Sequence, residues 1–232
     1  MIVRPRWRGL PGRMLRSLVA SRGAIMAPLG AGWEAELPLI RETRRLVPML
    51  LSDAAALQIL IAVRATRRLG GAMAEAGVFQ GGSARLICHA KGDTALHLFD
   101  VFETLQAGGA SAASGDAATV RDHFRTTHGR RSAVEALLAS YPAVHVHAGV
   151  FPATAAIVAD ARFAFVHLDL DLPEATRAAL DFFHPRLLPG AILIGDDYAD
   201  REVRTVFGTF FADRPDTVIE LPWGQVMVVR QA

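Results

Sequence analysis

Hydrophobic and polar positions along the chain follow two alternating periods, one typical of strands and one typical of helices. Continuous or strictly alternating apolar runs predict seven strands, at residues 71–78, 95–101, 143–150, 163–170 and 191–197 and as a pair within 217–230. Helical spacing separates them, at residues 34–69, 82–91, the stretch that ends at Tyr141, Glu174–Leu188 and 200–212. The pattern therefore predicts repeated β–α units.

Residues that start and stop elements agree with this pattern. Ser52 precedes the run "DAAALQILIAVRAT" as a helix cap, Gly70 and Gly71 end it, and Pro222–Gly224 forms a turn between the last two strands. Repeated β–α units favour a parallel sheet with helices on both faces. We predict an α/β fold with a doubly wound, Rossmann-like seven-stranded sheet, mostly parallel, with an antiparallel C-terminal hairpin at its edge.

Composition narrows the class of protein. At 232 residues and 51% apolar composition, the chain is long enough for one large domain with a full core. A single cysteine, Cys88, excludes a disulfide framework and a cysteine-rich metal site, and we assign it to the core. No uncharged apolar stretch reaches the roughly 18 residues of a transmembrane helix. We therefore expect a cytoplasmic location.

Charge separates an N-terminal arm, residues 1–33, from the domain at 34–232. Six of the 25 basic residues and none of the 23 acidic ones lie in the arm, which leaves the domain with a net charge of −4. We favour a solvated, partly disordered arm; a lid over the active site and contact with an acidic surface are the alternatives. A mildly acidic domain without interleaved aromatics does not predict a nucleic-acid partner.

Three glycines follow the first predicted strand in "AEAGVFQGGSA". Gly77, Gly81 and Gly82 permit a sharp turn and let a ligand lie against bare backbone. Their spacing differs from the G-x-G-x-x-G of dinucleotide sites, and no G-K-[ST] phosphate motif follows. Asp100 ends the second strand, where an acid can accept both ribose hydroxyls of a nucleoside. We therefore predict a nucleoside-containing ligand at this turn.

Acidic residues end the fourth and fifth predicted strands. "HLDLDLPEAT" places Asp169 and Asp171 on one face, and "IGDDY" places Asp196 and Asp197 at the next strand end. Carboxylates at neighbouring strand ends repel one another and attract a hard cation such as Mg²⁺. For Asp171 we prefer a second role, as the cap of the helix that follows.

Together, "EAGVFQGGSA", "LFDVFETL", "HLDLDLPEAT…ALDFFHPRLLPGAILIGDDY" and "GQVMVVR" resemble the macrocin-type (TylF-like) O-methyltransferases over roughly residues 45–230. These are class I enzymes that depend on S-adenosylmethionine and a metal and methylate sugar hydroxyls. Asp196 and Asp197 follow Asp169 by 27 and 28 residues, which is the family's spacing. The chain departs from the family in lacking a common tyrosine after Asp171 and in the loop after Glu103.

The resemblance implies the site residues and the chemistry. Its cofactor ligands would fall on Glu75, Gly77, Gly81, Gly82, Ser83 and Asp100, and its metal ligands on Asp169, Asp196 and Asp197. The metal would lower the pKa of the acceptor hydroxyl and fix its direction. Asp169 would also receive the proton, and His167, two positions earlier on the same face, is the second candidate base. His145 and His147 are weaker candidates for the base, because the alternation of a strand accounts for their positions.

Two other functions stay open on the sequence. A metal-dependent glycosyltransferase would hold a nucleotide diphosphate with Asp169-Leu170-Asp171, but it needs neither the glycine turn nor Asp100. A non-catalytic binding module with a methyltransferase fold is favoured by the altered loop and the missing tyrosine. The acceptor, which we expect to be a small molecule, is not specified by the small-residue loop at 105–117, and a homo-oligomer is left open.

Overall fold

The computed structural model describes residues 29–105 and 129–232, apart from residue 31 and the side chains of residues 104 and 105. Most of the predicted arm (1–33) and of the predicted loop at 105–117 lies outside the described residues. The chain divides into two units after Pro38. The first contains a 3-10 turn, Trp33–Glu36, among its described residues, and the second is the α/β domain.

Seven strands form one sheet in the order β3-β2-β1-β4-β5-β7-β6. The strands are β1 (Ala72–Ala76), β2 (Leu96–Asp100), β3 (Val144–Ala148), β4 (Phe163–Leu168), β5 (Leu187–Gly195), β6 (Thr217–Glu220) and β7 (Val226–Val229). The first five are parallel to one another, while β7 runs antiparallel to both β5 and β6. The predicted fold class and C-terminal hairpin are confirmed.

Six α-helices accompany the sheet in the described part of the chain. They are α1 (Leu37–Leu46), α2 (Asp53–Thr66), α3 (Gly82–Lys91), α4 (Arg131–Leu138), α5 (Pro173–Phe183) and α6 (Arg201–Phe211). Short 3-10 segments occupy Arg67–Leu69, Phe102–Leu105, Ala153–Val158, His184–Arg186 and Asp197–Ala199. The helices predicted within 34–69 are α1 and α2 with short 3-10 segments, and residues 47–52 separate α1 from α2.

The two ends of the helical segment formed by α2 and the 3-10 turn Arg67–Leu69 lie where the sequence predicts them. The Ser52 hydroxyl accepts a hydrogen bond from the Ala55 N–H at 3.1 Å. Gly70 follows the last helical turn in the left-handed conformation, with φ +78°, which costs glycine little. Because both ends are fixed locally, the position of α2 is readable from sequence alone.

The predicted boundary between α5 and β5 is wrong by several residues. Helix α5 ends at Phe183, and β5 begins at Leu187, paired with Phe163 of β4. Pro189 and Gly190 lie inside β5, where the register to β4 shifts and the Gly190 N–H donates to the Arg230 carbonyl (2.8 Å). A proline and glycine pair inside a strand resembles a turn in sequence.

The central strands of the sheet are buried on both faces. On one face, α5 and α6 pack against each other and α5 contacts β4. Their core contains Val166, Leu168, Leu193, Leu180 and Phe207, all buried. Helix α2 contacts β4 and β5 and packs against α3. With both faces covered, the open positions for a ligand are the loops at the strand ends.

No helix within the described ranges is long and apolar enough to cross a membrane.

Candidate functional site

Backbone hydrogen bonds continue past the carboxyl ends of β1, β4 and β5 and join them. The Asp169 N–H donates to the Ala76 carbonyl, and the Asp196 N–H donates to the Leu168 carbonyl, each at 2.9 Å. The turn at residues 77–82, called the glycine turn below, follows Ala76 directly. The glycine turn, Asp169 and Asp196 therefore lie side by side at the edge of the sheet where this fold class binds ligands.

Gly77 has no room for a side chain because β4 ends against it. Its φ is +85°, and a Cβ at this position would lie 1.6 Å from the carbonyl oxygen of Asp169. The sequence suggested that a ligand excludes the side chain here, but the backbone of Asp169 does so. The glycine therefore joins the predicted cofactor half of the site to its acidic half.

Gly81 and Gly82 set the start of α3. Gly81 is the residue before the helix and has φ +85°, whereas a Cβ on Gly82 would lie 2.8 Å from the Cβ of Met49. Ser83, in the first turn, is buried. Glycine at position 82 thus lets the segment before α2 pack closely on the N-terminus of α3.

The Asp100 carboxylate holds the glycine turn. Its Oδ2 accepts hydrogen bonds from the Val78 and Phe79 N–H groups at 2.7 and 2.8 Å. Its Oδ1 accepts from the Phe102 N–H at 2.8 Å. Phe79 and Phe102 have positive φ values of 52° and 43°, a conformation that is strained for non-glycine residues. Asp100 therefore stabilises two strained positions beside the predicted ribose site.

Glu75 and His167 form a buried pair between β1 and β4. They are register partners, and Glu75 Oε1 lies 2.8 Å from His167 Nδ1. Both side chains are 0% exposed. Glu75 Oε2 and His167 Nε2 have no hydrogen-bond partner among the described residues.

Charge keeps His167 protonated. Burial lowers the pKa of His167, but the hydrogen bond with Glu75 and the negative charges of Glu75, Asp169 and Asp196 outweigh it and raise the pKa to about 9. At neutral pH the ring is an imidazolium whose Nδ1–H donates to Glu75. Its positive charge offsets part of the repulsion between the acidic residues nearby.

Burial and the neighbouring negative charges raise the pKa of two of the acidic residues. Burial raises the pKa of Asp169 well above its ordinary value, and the charge of Asp196 raises it further, while His167 lowers it. Burial and the charge of Asp171 raise the pKa of Asp197 to about 6. These shifts indicate carboxylates that gain from a proton or a cation near them.

Two of the acids are already hydrogen-bonded to the protein. Asp196 Oδ1 accepts from the Gln225 amide at 2.7 Å, and Asp197 Oδ2 accepts from the Asp171 N–H at 2.9 Å. No described residue donates to the Asp169 carboxylate. Among residues 29–105 and 129–232, no three His, Cys, Asp or Glu side chains are grouped so that they could hold a metal ion.

The helix cap predicted for Asp171 is wrong. Helix α5 begins at Pro173 with Leu172 in the capping position and no side-chain cap. Asp171 instead adopts the left-handed conformation, with φ +58°, and gives its N–H to Asp197. The residue thus shapes the acidic loop rather than the helix.

Three histidines of β2 and β3 and the cysteine lie outside this group. His147 Nε2 lies 3.1 Å from His97 Nδ1, and the rings of His97 and His145 stack with centroids 4.9 Å apart. Burial and the two neighbouring histidines lower the pKa of His97 to about 4. Cys88 is buried as predicted, and burial raises the pKa of its thiol to about 12.

Sequence reasoning missed two polar residues near the site. Gln225 is 0% exposed at the start of β7 and contacts Asp196. Glu103 Oε2 accepts from the Arg131 N–H at 2.9 Å and so ties the segment after β2 to the start of α4. The sequence signal for Gln225 is a lone glutamine directly before an apolar strand. Such a side chain is expected to have a hydrogen-bond partner if it is buried.

Comparison with known proteins identifies the family. A sequence model of the macrocin O-methyltransferases (TylF) matches residues 54–224. The chain belongs to this family. The predicted resemblance is thereby confirmed.

A curated relative of this macrocin O-methyltransferase family member is the 8-demethyl-8-(2,3-dimethoxy-alpha-L-rhamnosyl)-tetracenomycin-C 4'-O-methyltransferase of Streptomyces olivaceus. It is 34% identical over 139 residues, which cover 56% of this chain. The chain spans about half of that relative's length (53%).

Solved structures share the fold. The O-methyltransferase NovP has a TM-score of 0.65 and 21% identity, covering 76% of this chain and 79% of its own. CalS11, described as a TDP-rhamnose 3'-O-methyltransferase, has a TM-score of 0.55 and 15% identity, covering 90% and 97%. An O-methyltransferase from Bacillus cereus in complex with SAH has a TM-score of 0.53 and 16% identity, covering 94% and 99%.

Proposed function

We propose that this protein transfers the methyl group of S-adenosylmethionine to a hydroxyl of a sugar or a glycosylated small molecule. The observation that carries the proposal is the contact between Gly77 and Asp169, because it places the glycine turn directly beside the acidic group. A methyl donor over the turn and a hydroxyl beside the acids would then meet at one edge of the sheet. Family membership supports the class of reaction.

The cofactor would lie along the glycine turn, with its ribose near Asp100. Helix α3 begins at Gly82, and the N-terminus of a helix favours a carboxylate such as that of the methionine part. Helix α3 has ten residues, so its dipole places partial positive charge at this N-terminus. Glu75 is buried against His167, so its predicted contact with the cofactor stays a prediction.

Asp169 is the better candidate base of the two. A sulfonium methyl is already activated, so the protein must align the acceptor oxygen and receive its proton. The Asp169 carboxylate has no donor among the described residues, and burial together with Asp196 raises its pKa above the ordinary value, which makes the ionised carboxylate a stronger base. His167 is already protonated, so we assign it a supporting role behind Asp169 rather than proton removal.

A divalent cation is proposed on the chemistry of the donors. Asp169, Asp196 and Asp197 offer the hard carboxylate oxygens that Mg²⁺ prefers. Their mutual repulsion, visible in the raised pKa of Asp169 and Asp197, would be relieved by a positive ion. When bound, such an ion would supply Lewis-acid activation of the hydroxyl. The side chains would have to turn toward one another, since they are not grouped for a metal in this structure.

The acceptor class rests on the relatives. The Streptomyces olivaceus protein is named for methylation of a rhamnosyl 4'-oxygen, and CalS11 for methylation of TDP-rhamnose. We therefore propose a deoxysugar hydroxyl, free or attached to a larger molecule. The site carries acidic groups that can accept hydrogen bonds from such hydroxyls.

Calorimetric titration separates this proposal from the alternatives. S-adenosylhomocysteine should bind the wild type whether or not a nucleotide sugar is present. Binding of a nucleotide diphosphate sugar but not of S-adenosylhomocysteine would instead favour a glycosyltransferase. Cofactor binding without transfer to any sugar acceptor would favour the non-catalytic module.

A further inference from the structure

The C-terminal hairpin reaches the acidic group through one side chain. Gln225 is fully buried, and its Nε2 donates to Asp196 Oδ1 at 2.7 Å. Its Oε1 accepts from the Trp223 indole Nε1–H at 3.0 Å. Both ends of the amide are therefore used, and they join an acid of the site to an aromatic ring on the hairpin turn.

The backbone around Gln225 is fixed by pairing with its neighbours. Val226, the next residue, pairs with Gly195 of β5, directly before Asp196. The Leu221 N–H donates to the Gln225 carbonyl at 2.9 Å and closes the turn. A buried amide with both hydrogen-bonding ends satisfied has one favoured orientation, since any other would leave polar atoms unpaired.

A second contact fixes the hairpin to the loop that follows β5. The Tyr198 hydroxyl donates to Glu220 Oε1 at 2.8 Å, so the end of β6 is attached to the 3-10 segment Asp197–Ala199. The turn at Trp223 is thus held on both sides. Trp223 remains 37% exposed, and Gln225 links its indole to the Asp196 carboxylate.

We propose that Gln225 is a positioning residue for methyl transfer, which orients Asp196 and holds Trp223 as a flat surface for the sugar acceptor. The inference rests on the proposed function, because it takes Asp196 as part of the reaction site. The aromatic face suits the apolar C–H face of a sugar, while the acids nearby accept its hydroxyls. Gln225 would then act on turnover through Asp196, and Trp223 on acceptor binding.

Steady-state kinetics distinguish these two roles. Methyl transfer would be followed as S-adenosylhomocysteine release with methyl and p-nitrophenyl α-L-rhamnopyranosides as probe acceptors. Gln225→Leu should lower kcat about tenfold or more, the range for a lost hydrogen bond to a charged group. Affinity for S-adenosylhomocysteine should stay within about twofold, because the glycine turn is untouched. Trp223→Ala should chiefly raise the acceptor KM, whereas Trp223→Phe keeps the ring and should change KM less.

Gln225→Glu and Gln58→Leu guard against a merely structural effect. A carboxylate in place of the Gln225 amide would keep the size of the side chain but could not donate as an anion, so Gln225→Glu should lower kcat at least as much as Gln225→Leu. Gln58 of α2 contacts Met227 of β7, the strand that follows Gln225, at 3.5 Å and touches no acid. Gln58→Leu should therefore leave kcat within about twofold.

Nuclear magnetic resonance shows whether the linkage exists in solution. The chain has no asparagine and five glutamines, and it has three tryptophans. Side-chain amide spectra are therefore simple enough to assign the Gln225 pair and the Trp223 indole by substitution. In Asp196→Ala, both signals should shift together, since one amide joins the two residues.

Three outcomes overturn the inference. If Gln225→Leu and Gln225→Glu fold and turn over within twofold of the wild type, Gln225 has no positioning role. If the chemical shift of the Trp223 indole is unchanged in Asp196→Ala, the linkage is absent. If the wild type transfers methyl to neither rhamnoside while it binds S-adenosylhomocysteine, the sugar acceptor proposed above is wrong and this inference fails with it.

Discussion

Removing the Asp100 carboxylate should destabilise the glycine turn as well as weaken the binding of the cofactor. Asp100 accepts three backbone hydrogen bonds, from the N–H groups of Val78, Phe79 and Phe102 at 2.7, 2.8 and 2.8 Å. A hydrogen bond to a charged group contributes about 1.5–3 kcal/mol. Because Asp100 is half-buried, water can replace part of the loss. We expect Asp100→Ala to lower the free energy of unfolding by about 3 kcal/mol.

Urea unfolding measures this loss, and two further variants calibrate it. Asp100→Asn keeps one carbonyl oxygen for the two donors of the glycine turn, so it should lose roughly half as much. Asp181→Ala removes an exposed carboxylate paired with Arg177 on α5 and should change stability by less than about 0.5 kcal/mol. Calorimetry with S-adenosylhomocysteine should show weaker binding in both Asp100 variants. If Asp100→Ala unfolds like Asp181→Ala, the proposed support of the turn is refuted.

Three other substitutions test separate parts of the account. Gly77→Ala should cost at least about 3 kcal/mol in urea unfolding and abolish cofactor binding, because its Cβ meets the Asp169 carbonyl. Gly70→Ala, in the left-handed conformation but with open space around it, should cost only about 1–2 kcal/mol; equal losses would mean that the close contact is not decisive. The free energy of unfolding should fall as pH decreases from 6.5 to about 4, because the folded-state pKa of His97 lies at about 4 and the unfolded chain takes up the proton first. In His97→Gln this fall should be smaller, by at most roughly 3 kcal/mol and by less than that because the ring is partly exposed. In EDTA near neutral pH, Asp169→Asn should raise the melting temperature, since it removes a carboxylate whose pKa is raised. The same variant should lose most of the increase in melting temperature that Mg²⁺ gives the wild type; an unchanged Mg²⁺ effect would place the cation elsewhere.

Local patterns were enough to predict the sheet and the approximate positions of its strands. Alternation and apolar runs identify all seven strands because most of them have a buried face; the exposed strand β6 was recognised with β7 as a hairpin around the turn at Pro222–Gly224. Ser52 and Gly70 mark the ends of the helical segment 53–69 through contacts within a few residues. The boundary at 183–191 was lost because Pro189 and Gly190 sit inside β5. A bulge that depends on pairing with β4 leaves no local signal.

The site was predictable in its location and not in its contacts. Acids at strand ends gather wherever parallel strands end together, so Asp100, Asp169 and Asp196 could be placed from spacing. What excludes a side chain at Gly77 could not, because the Asp169 backbone that does so is distant in sequence. The same holds for Gln225, whose partner is an acid on another strand.

The central claim is methyl transfer from S-adenosylmethionine to a sugar hydroxyl, and mass spectrometry tests it most directly. The purified protein would be incubated with S-adenosylmethionine that carries a trideuteromethyl group, together with the two rhamnosides. We predict a sugar product in which one trideuteromethyl group replaces a hydroxyl hydrogen, formed by the wild type and strongly reduced in Asp169→Asn. Binding of S-adenosylhomocysteine with no labelled sugar under any of these conditions would contradict the account.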